Sequence, residues 1–244
     1  MIVRQFLHTD PVAISYLFGC GGKAASAVVD LVGDIERYRA TADAAGMRIL
    51  YVIDTHLHAD HLSTGRELAE SAKAQYVLFH GAGAALPFAG VNDGTVLPLG
   101  NVTARIMHTP GHTPEHISVL VTDHTRAEEP WFVMTGHTLM VGDVGRTELA
   151  TSAEEGARVL FGSLARLRAL PDHIEVLPGA FAGSVCGRRL SGNPSSTIGF
   201  ERRHNAGFRI EDQEAFVRFM KEDIPAPPPG ADELRRLNAG RVAA

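Results

Sequence analysis

The chain has 244 residues, a formal net charge of −5 with its twelve histidines counted neutral, and two cysteines. That length can bury a substantial core within one domain, while the mild acidity, without a lysine-rich run or aromatic-basic interleaving, argues against a nucleic-acid partner. No signal peptide is visible at residues 1–6 and no apolar stretch is long enough to span a bilayer; Cys20 and Cys186 are too few for a disulfide framework, so a cytoplasmic protein with free thiols in loops is expected.

Apolar runs at residues 3–7, 13–18 and 25–31, the last two separated by Gly19, Gly21 and Gly22, predict an antiparallel meander. Residues 34–45 carry helix formers and end at Gly46. The β-branched and aliphatic run at 47–54 predicts a short buried strand, followed directly by Thr55-His56-Leu57-His58-Ala59-Asp60-His61. Ser63 is placed to cap a helix running to about Ala74, with a short strand at 76–79 behind it. Strands are predicted again at 95–97, 102–107, 116–121 and 131–134. Ser152 and Glu155 form a capping box for a helix at 153–170, which stops before Pro171. A strand at 174–177 leads into a long irregular stretch rich in glycine, serine and arginine. From Asp212 come one helix, a proline-rich break at 225–229 and a short last helix, and no internal repeat is visible. This order predicts an α+β fold of two sheets packed face to face with helices outside. A single domain over residues 1–244 is expected, with a C-terminal helical extension from about residue 205.

The histidine loop places three imidazoles and a carboxylate within six residues. In an extended segment His56 and His58 point to one side. Neutral imidazole is a ligand for zinc and iron, and Asp60 can hold a second ion or orient a ligand from behind. His112 and His137 each follow a predicted strand across a Thr-Pro-Gly or Thr-Gly turn, so loops at one edge of the sandwich can converge on one ion. The other seven histidines, His116 among them, read as ordinary residues.

His56-Leu57-His58-Ala59-Asp60-His61, Thr109-Pro110-Gly111-His112-Thr113-Pro114, Thr135-Gly136-His137-Thr138-Leu139 and Leu177-Pro178-Gly179-Ala180 resemble, in order and spacing, the motifs of the metallo-β-lactamase fold superfamily. Its glyoxalase II and persulfide dioxygenase branch is the nearest match. Gly142-Asp143-Val144-Gly145-Arg146-Thr147 and the stretch from Gly183-Ser184-Val185-Cys186-Gly187 to Arg202-Arg203 look like the rhodanese-associated type. The resemblance implies a four-layer αββα sandwich. It also exposes two departures. Where the family has a metal-bridging aspartate after Thr-Gly, this chain has His137; where the family's Pro-Gly-His supplies the last ligand of the second metal, it has Ala180. Only Asp60 and His61 then remain for a second ion, too few to hold zinc tightly, so one metal ion is expected.

The resemblance to single-iron persulfide dioxygenases implies one Fe(II) held by His58, His112 and His137, with His56, Asp60 and His61 as supporting or catalytic groups. Replacing the carboxylate with imidazole leaves open positions and raises the net charge of the site by one. The expected substrate is a low-molecular-weight thiol persulfide such as glutathione persulfide, oxidised to a sulfite-level product. Zn(II) is the alternative metal: His56 can join the other three histidines in a saturated structural set, or one zinc-bound water can hydrolyse a thioester, lactone or ester. A non-catalytic metal-binding protein is a third reading. Arg146 falls where the family has a glutathione-contacting arginine, and its fork suits a carboxylate. Arg188, Arg189, Arg202 and Arg203 read mainly as a solvated basic face. Cys186 is a candidate sulfur relay, with nothing nearby in sequence to lower its thiol pKa. No fused rhodanese domain is expected, so a separate sulfurtransferase is the expected donor. Neither nucleic acid nor membrane is an expected partner, and a homo-oligomer is left open.

Overall fold

The computed structural model describes residues 1–224 and 226–241; Pro225, the first residue of the predicted proline-rich break, lies outside the described residues. β1 (Ile2–Thr9), β2 (Val12–Cys20) and β3 (Ala25–Val29) form the expected antiparallel meander. α1 (Ile35–Ala44) follows, its first turn capped by the Asp34 carboxylate, which accepts from the Glu36 N–H at 2.9 Å. The chain re-enters the sheet through β4 (Arg48–Ile53), crosses α2 (Gly65–Ala72), and adds β5 (Gln75–Phe79) and β6 (Ala89–Val91). The first sheet therefore runs β1-β2-β3-β4-β5-β6, with parallel pairing from β3 onward.

A second meander, β7 (Val96–Leu99), β8 (Val102–His108), β9 (Ile117–Asp123) and β10 (Phe132–Gly136), begins the other sheet. A two-stranded ribbon, β11 (Leu139–Met140) with β12 (Asp143–Val144), precedes the long helix α3 (Ala153–Arg168). β13 (Glu175–Pro178) returns parallel to β10, and β14 (Ser196–Thr197) closes that edge. Three helices end the chain: α4 (Ile198–His204), α5 (Gln213–Lys221) and α6 (Ala231–Asn238). The second sheet is ordered β14-β13-β10-β9-β8-β7.

The central strands are apolar on both faces because both faces are covered. In β2 and β3 the inward set Tyr16, Phe18, Ala27 and Val29 meets Val119, Val121 and Met134 of the second sheet. The alternate residues Leu17 and Val28 face outward onto Tyr38 of α1 and Leu68 of α2. On the far side Val133 and Val176 pack under Leu160 and Leu164 of α3 and Phe216 of α5. The period-two alternation of each strand thus produces four layers, α, β, β and α. Among the described residues no helix is long and apolar enough to cross a membrane.

Several details differ from expectation; β6 and the β11–β12 ribbon were not predicted, and Thr64 rather than Ser63 stands at the N-cap of α2. The stretch after residue 178 is not wholly irregular, since it contains β14 and α4, the latter capped by the Thr197 hydroxyl, which accepts from the Phe200 N–H. Cys20 lies at the end of β2 rather than in a loop. Arg189 and Arg203 are exposed as expected, but two of the basic residues there are tied into the fold: the Arg188 guanidinium lies 4.6 Å from the Phe219 ring and donates to the Phe219 and Glu222 carbonyls, and Arg202 pairs with Asp172 and donates to the Arg168 and Leu170 carbonyls.

Candidate metal centre

The site forms where the C-terminal ends of β4, β8 and β10 meet. β4 runs into the histidine loop, and the turn after β10 needs a left-handed residue: Gly136 has φ +48°, and a Cβ there would come within 2.6 Å of both His116 Nε2 and Thr55 Oγ1. Only glycine lets the chain turn at that point and present His137 to the other two loops. His56, His58, His112 and His137 are all at most 2 % exposed.

The structure divides these four histidines into three and one. Ligand atoms of His56, His112 and His137 lie within 4.8 Å of one another; those of His58 group with Asp60 and His61, and with Asp30 and Asp54. His112 Nδ1 donates to the Arg146 carbonyl at 2.8 Å, so its hydrogen is on Nδ1 and the Nε2 lone pair is free. The Thr55 hydroxyl donates to Asp30 Oδ2 at 2.9 Å, leaving its oxygen to accept from His56 Nδ1, also at 2.9 Å. His56 Nε2 is then an unprotonated acceptor, buried and with no partner among the described groups. Facing it, His137 Nδ1 lies 3.3 Å from His112 Nε2. Two nitrogens about 2.0–2.1 Å from one tetrahedral ion stand about 3.3–3.4 Å apart. Fixed tautomers, an orphaned buried nitrogen and this spacing all fit a metal ion.

His58 is built differently. Its Nε2 lies 3.2 Å from Asp30 Oδ1, and its Nδ1 lies 3.7 Å from Asp60 Oδ1. Burial alone would lower His58 and raise Asp30. The hydrogen bond and charge between the two outweigh burial, holding His58 well above the usual imidazole value and Asp30 below the usual carboxylate value. Burial likewise opposes ionisation of Asp60, but the imidazoles of His61 and His58 hold it well below the ordinary range. With its N–H on Nε2 toward Asp30, His58 keeps a lone pair on Nδ1, which like His56 Nε2 is buried with no hydrogen-bond partner among the described groups. Nitrogens of His56, His112 and His137 form one group, and His58, which the resemblance implied as a ligand, lies beside His56 with ring centroids 4.2 Å apart and groups with Asp60 and His61. His61 Nδ1 lies 3.1 Å from Asp60 Oδ1, and its Nε2 is buried without a partner among the described groups.

The trio stays neutral. Burial, followed by the charge of His137, lowers His112 to about 3, and burial also lowers His56 and His137. Neutral imidazole is the form that ligates.

Several contributors carried no sequence signal of their own. Asp30 also accepts from the Thr55 N–H at 2.7 Å and so anchors the start of the loop. His116, read as ordinary, is buried against the site: its Nε2 accepts from the His137 N–H at 3.0 Å, which sets that residue's backbone and makes His116 a positioning residue. Asn238, at the end of α6, donates to the carbonyls of His58 and His61, both at 2.8 Å, and accepts from the Ser63 N–H. Glu115 accepts from the Leu57 N–H and pairs with Arg235 of α6. These partners lie far apart in sequence, so only the fold reveals them.

Arg146 is 4 % exposed, ion-paired with Glu148, and donates to the carbonyls of Val185 and Ala226. It ties the loop at 183–187 and the segment before α6 to the ribbon. Cys186, 1 % exposed, stands beside Asp60 and His137, and burial, then the Asp60 charge, pushes its thiol well above the ordinary value. Ala180 offers no donor at its place after β13.

Residues 12–179 match the Metallo-beta-lactamase superfamily, and the chain belongs to that family. It is 33% identical over 207 residues to a probable metallo-hydrolase of Burkholderia pseudomallei, covering 70% of this chain and 69% of that one. Its identity with the mitochondrial persulfide dioxygenase ETHE1 of Bos taurus is 27% over 232 residues, covering 93% and 84%. A hydroxyacylglutathione hydrolase of Rhodopseudomonas palustris is also 27% identical, over 193 residues, covering 68% and 71%. Among solved structures, a metallo-beta-lactamase from Staphylococcus aureus superposes with a TM-score of 0.92 at 32% identity, covering 99% of this chain and 73% of that one. ETHE1 from Myxococcus xanthus gives 0.84 at 27% identity, covering 99% and 100%. The family, its homologues and the imidazole cluster make this a metal-dependent enzyme.

Proposed function

We propose that the chain is a mononuclear non-haem iron dioxygenase that oxidises a low-molecular-weight thiol persulfide, with glutathione persulfide as the type substrate. The observation that carries this reading is the trio itself. His137 stands where the family has a bridging carboxylate, and with His56 and His112 it offers one ion three neutral nitrogens on one side. A ferrous ion there would supply binding positions for the persulfide sulfur and for dioxygen. The chain's own residues do the rest. Thr55 and the Arg146 carbonyl hold His56 and His112 in the ligating tautomer, and His116 fixes the backbone of His137. Burial of all three rings excludes bulk water from the reacting sulfur.

Substrate recognition is proposed at the cleft of about 370 Å³ that borders the loop at Leu57, whose wall includes Arg235, Arg236 and Arg241. Guanidinium groups suit the carboxylates of a glutathione-like thiol. Arg146 contributes by holding the loop and segment it tethers, and a direct contact with substrate would require release of those carbonyls.

The likeness to hydroxyacylglutathione hydrolases, equal in identity to that with ETHE1, favours as second reading a zinc-dependent hydrolase of glutathione thioesters. Oxygen consumption by the iron-loaded protein with glutathione persulfide, set beside thioester hydrolysis by the zinc-loaded protein, separates the two. Rapid oxygen uptake lost in His112→Ala is the expected result. Thioester turnover without oxygen uptake would replace the first reading with the second.

A further inference from the structure

The Pro178–Gly179 turn at the end of β13 is held from two sides. From the first sheet, β2 donates to both of its carbonyls, the Tyr16 hydroxyl to Pro178 and the Ile14 N–H to Gly179, each at 2.7 Å. Within its own sheet, the Gly179 N–H donates to the carbonyl of Gly136 at 2.8 Å, and Gly136 is the left-handed residue that presents His137. The turn also backs that histidine directly. A Cβ on Gly179 would stand 3.1 Å from His137 Cδ2 and 3.2 Å from the Gly136 Cα, so a bare backbone there lets the turn lie close against the ring. Tyr16 is 1 % exposed, and burial pushes its phenol above the ordinary value, so the hydroxyl stays a donor. Its other partner is Gln5, whose Nε2 donates to it at 3.3 Å. A buried hydroxyl bonded to a buried carbonyl is ordinary in a core. This one falls where the ladder is irregular: the register between β10 and β13 shifts between Met134 and Gly136, so regular pairing no longer fixes the backbone just before His137.

We propose that Tyr16 is a positioning residue for the metal centre, setting where His137 stands relative to His56 and His112 through the Pro178–Gly179 turn. The hydroxyl and the Ile14 N–H fix the turn against the first sheet. The turn then fixes Gly136 by a hydrogen bond and the His137 ring by contact, so β2 supplies the restraint that the shifted ladder does not. Tyr16 and Pro178 are 162 residues apart, and the link crosses from one sheet to the other. It therefore ties the spacing of the trio to the packing of the sandwich. The inference rests on His137 being a ligand and is independent of which reaction the centre performs.

The test loads full-length protein with cobalt(II) and reads the visible d–d spectrum, which reports ligand geometry, together with the rate of cobalt loss to a chelator and the urea midpoint. Tyr16→Phe keeps the ring and removes the hydroxyl; it should shift the d–d bands and speed cobalt loss about tenfold or more. Gly179→Ala, whose methyl would press on the His137 ring, should shift the bands with Tyr16 intact, and it serves if Tyr16→Phe does not fold. Gln5→Ala should leave the spectrum unchanged. So should Val102→Ala, a core truncation at the far end of β8, although it lowers the urea midpoint. In a His137→Ala background, Tyr16→Phe should add nothing to the rate of cobalt loss, because the residue it acts through is gone. An unchanged spectrum and rate in Tyr16→Phe, an equal spectral shift in Val102→Ala, or an undiminished effect in the His137→Ala background overturns the proposal. Wild-type cobalt retention in His137→Ala would instead overturn the trio, so the two failures give different patterns.

Discussion

The two sides of the histidine loop use the same residue type for opposite purposes. On one side the back nitrogens of His56 and His112 meet oxygen partners that fix the tautomer, so both present a lone pair forward. On the other, His58 Nε2 meets the Asp30 carboxylate at 3.2 Å, which raises its pKa, and its Nδ1 is buried without a hydrogen-bond partner among the described groups. The backbone alternation that lets His56 and His58 share a sequence motif does not give them the same chemistry. What separates them is the partner behind each ring, a hydroxyl for His56 and a carboxylate for His58. Each partner holds one ring nitrogen and so decides which nitrogen faces the centre of the cluster.

Exchanging the two residues for alanine breaks the comparison most severely. His56→Ala should reduce bound metal from the trio to a small residue while the protein stays folded. His58→Ala should retain that metal but cost about 3–5 kcal/mol of stability, because it strands the buried Asp30 and Asp60 charges without their common partner. Metal content after dialysis and urea midpoints, read on both variants, check this pair. Metal kept in His56→Ala and lost in His58→Ala would return His58 to the ligand set.

Acid should expose the same contrast in the metal-free protein. Burial lowers His112 from its ordinary value of 6.5 to about 3 in the folded chain, so between those values the unfolded state binds more protons. Stability therefore falls as pH drops through that window, by up to about 1.4 kcal/mol per pH unit for such a group. His56, His116 and His137, also lowered, add in the same direction. His58 has the opposite sign: its contribution is complete below about 6.5 and is lost as pH rises through its raised folded value. Urea midpoints at stepped pH should fall steeply from 6.5 downward, and His58→Ala should lower stability below 6.5 without adding to that slope while removing the loss that His58 causes as pH rises above 6.5.

Legibility in the sequence followed the range of the interactions. The four layers could be read because each central strand is an apolar run and each long helix has its own start signal, such as Asp34 and Ser152. β14 and α4 escaped because a two-residue strand and a seven-residue helix carry too little periodicity to stand out from the glycine and arginine around them. In the site, the histidines themselves were visible as a motif. Their sorting into ligands and ion pair was not, because Asp30 lies 28 residues from His58 and the Arg146 carbonyl 34 from His112. Cys186 and Asn238 come from still farther along the chain. Partners at such separations leave no spacing to recognise; the sheet order alone brings them together.

A finer test of the partner rule is Thr55→Val, which keeps the shape of the side chain and removes the oxygen that fixes the His56 tautomer. Metal affinity should fall about 10–100-fold, measured by competition with a chromogenic chelator, while His58 and its carboxylates stay in place.

The smallest expected effect falls on the frame that both sides share. Asn238 satisfies the carbonyls of His58 and His61 and the Ser63 N–H at once, so α6 acts as a clamp on the loop from outside. Asn238→Ala leaves those buried groups without their partner, at a cost of about 1–3 kcal/mol. Because the clamp grips residues 58–63 and does not touch the rings of the trio, the change should appear first as faster amide exchange in that segment. Retention of the trio's metal should be little altered. Metal loss equal to that of His56→Ala would mean that the two sides of the loop are one cooperative unit, and that the contrast between ligand and ion pair holds only while α6 keeps the loop closed.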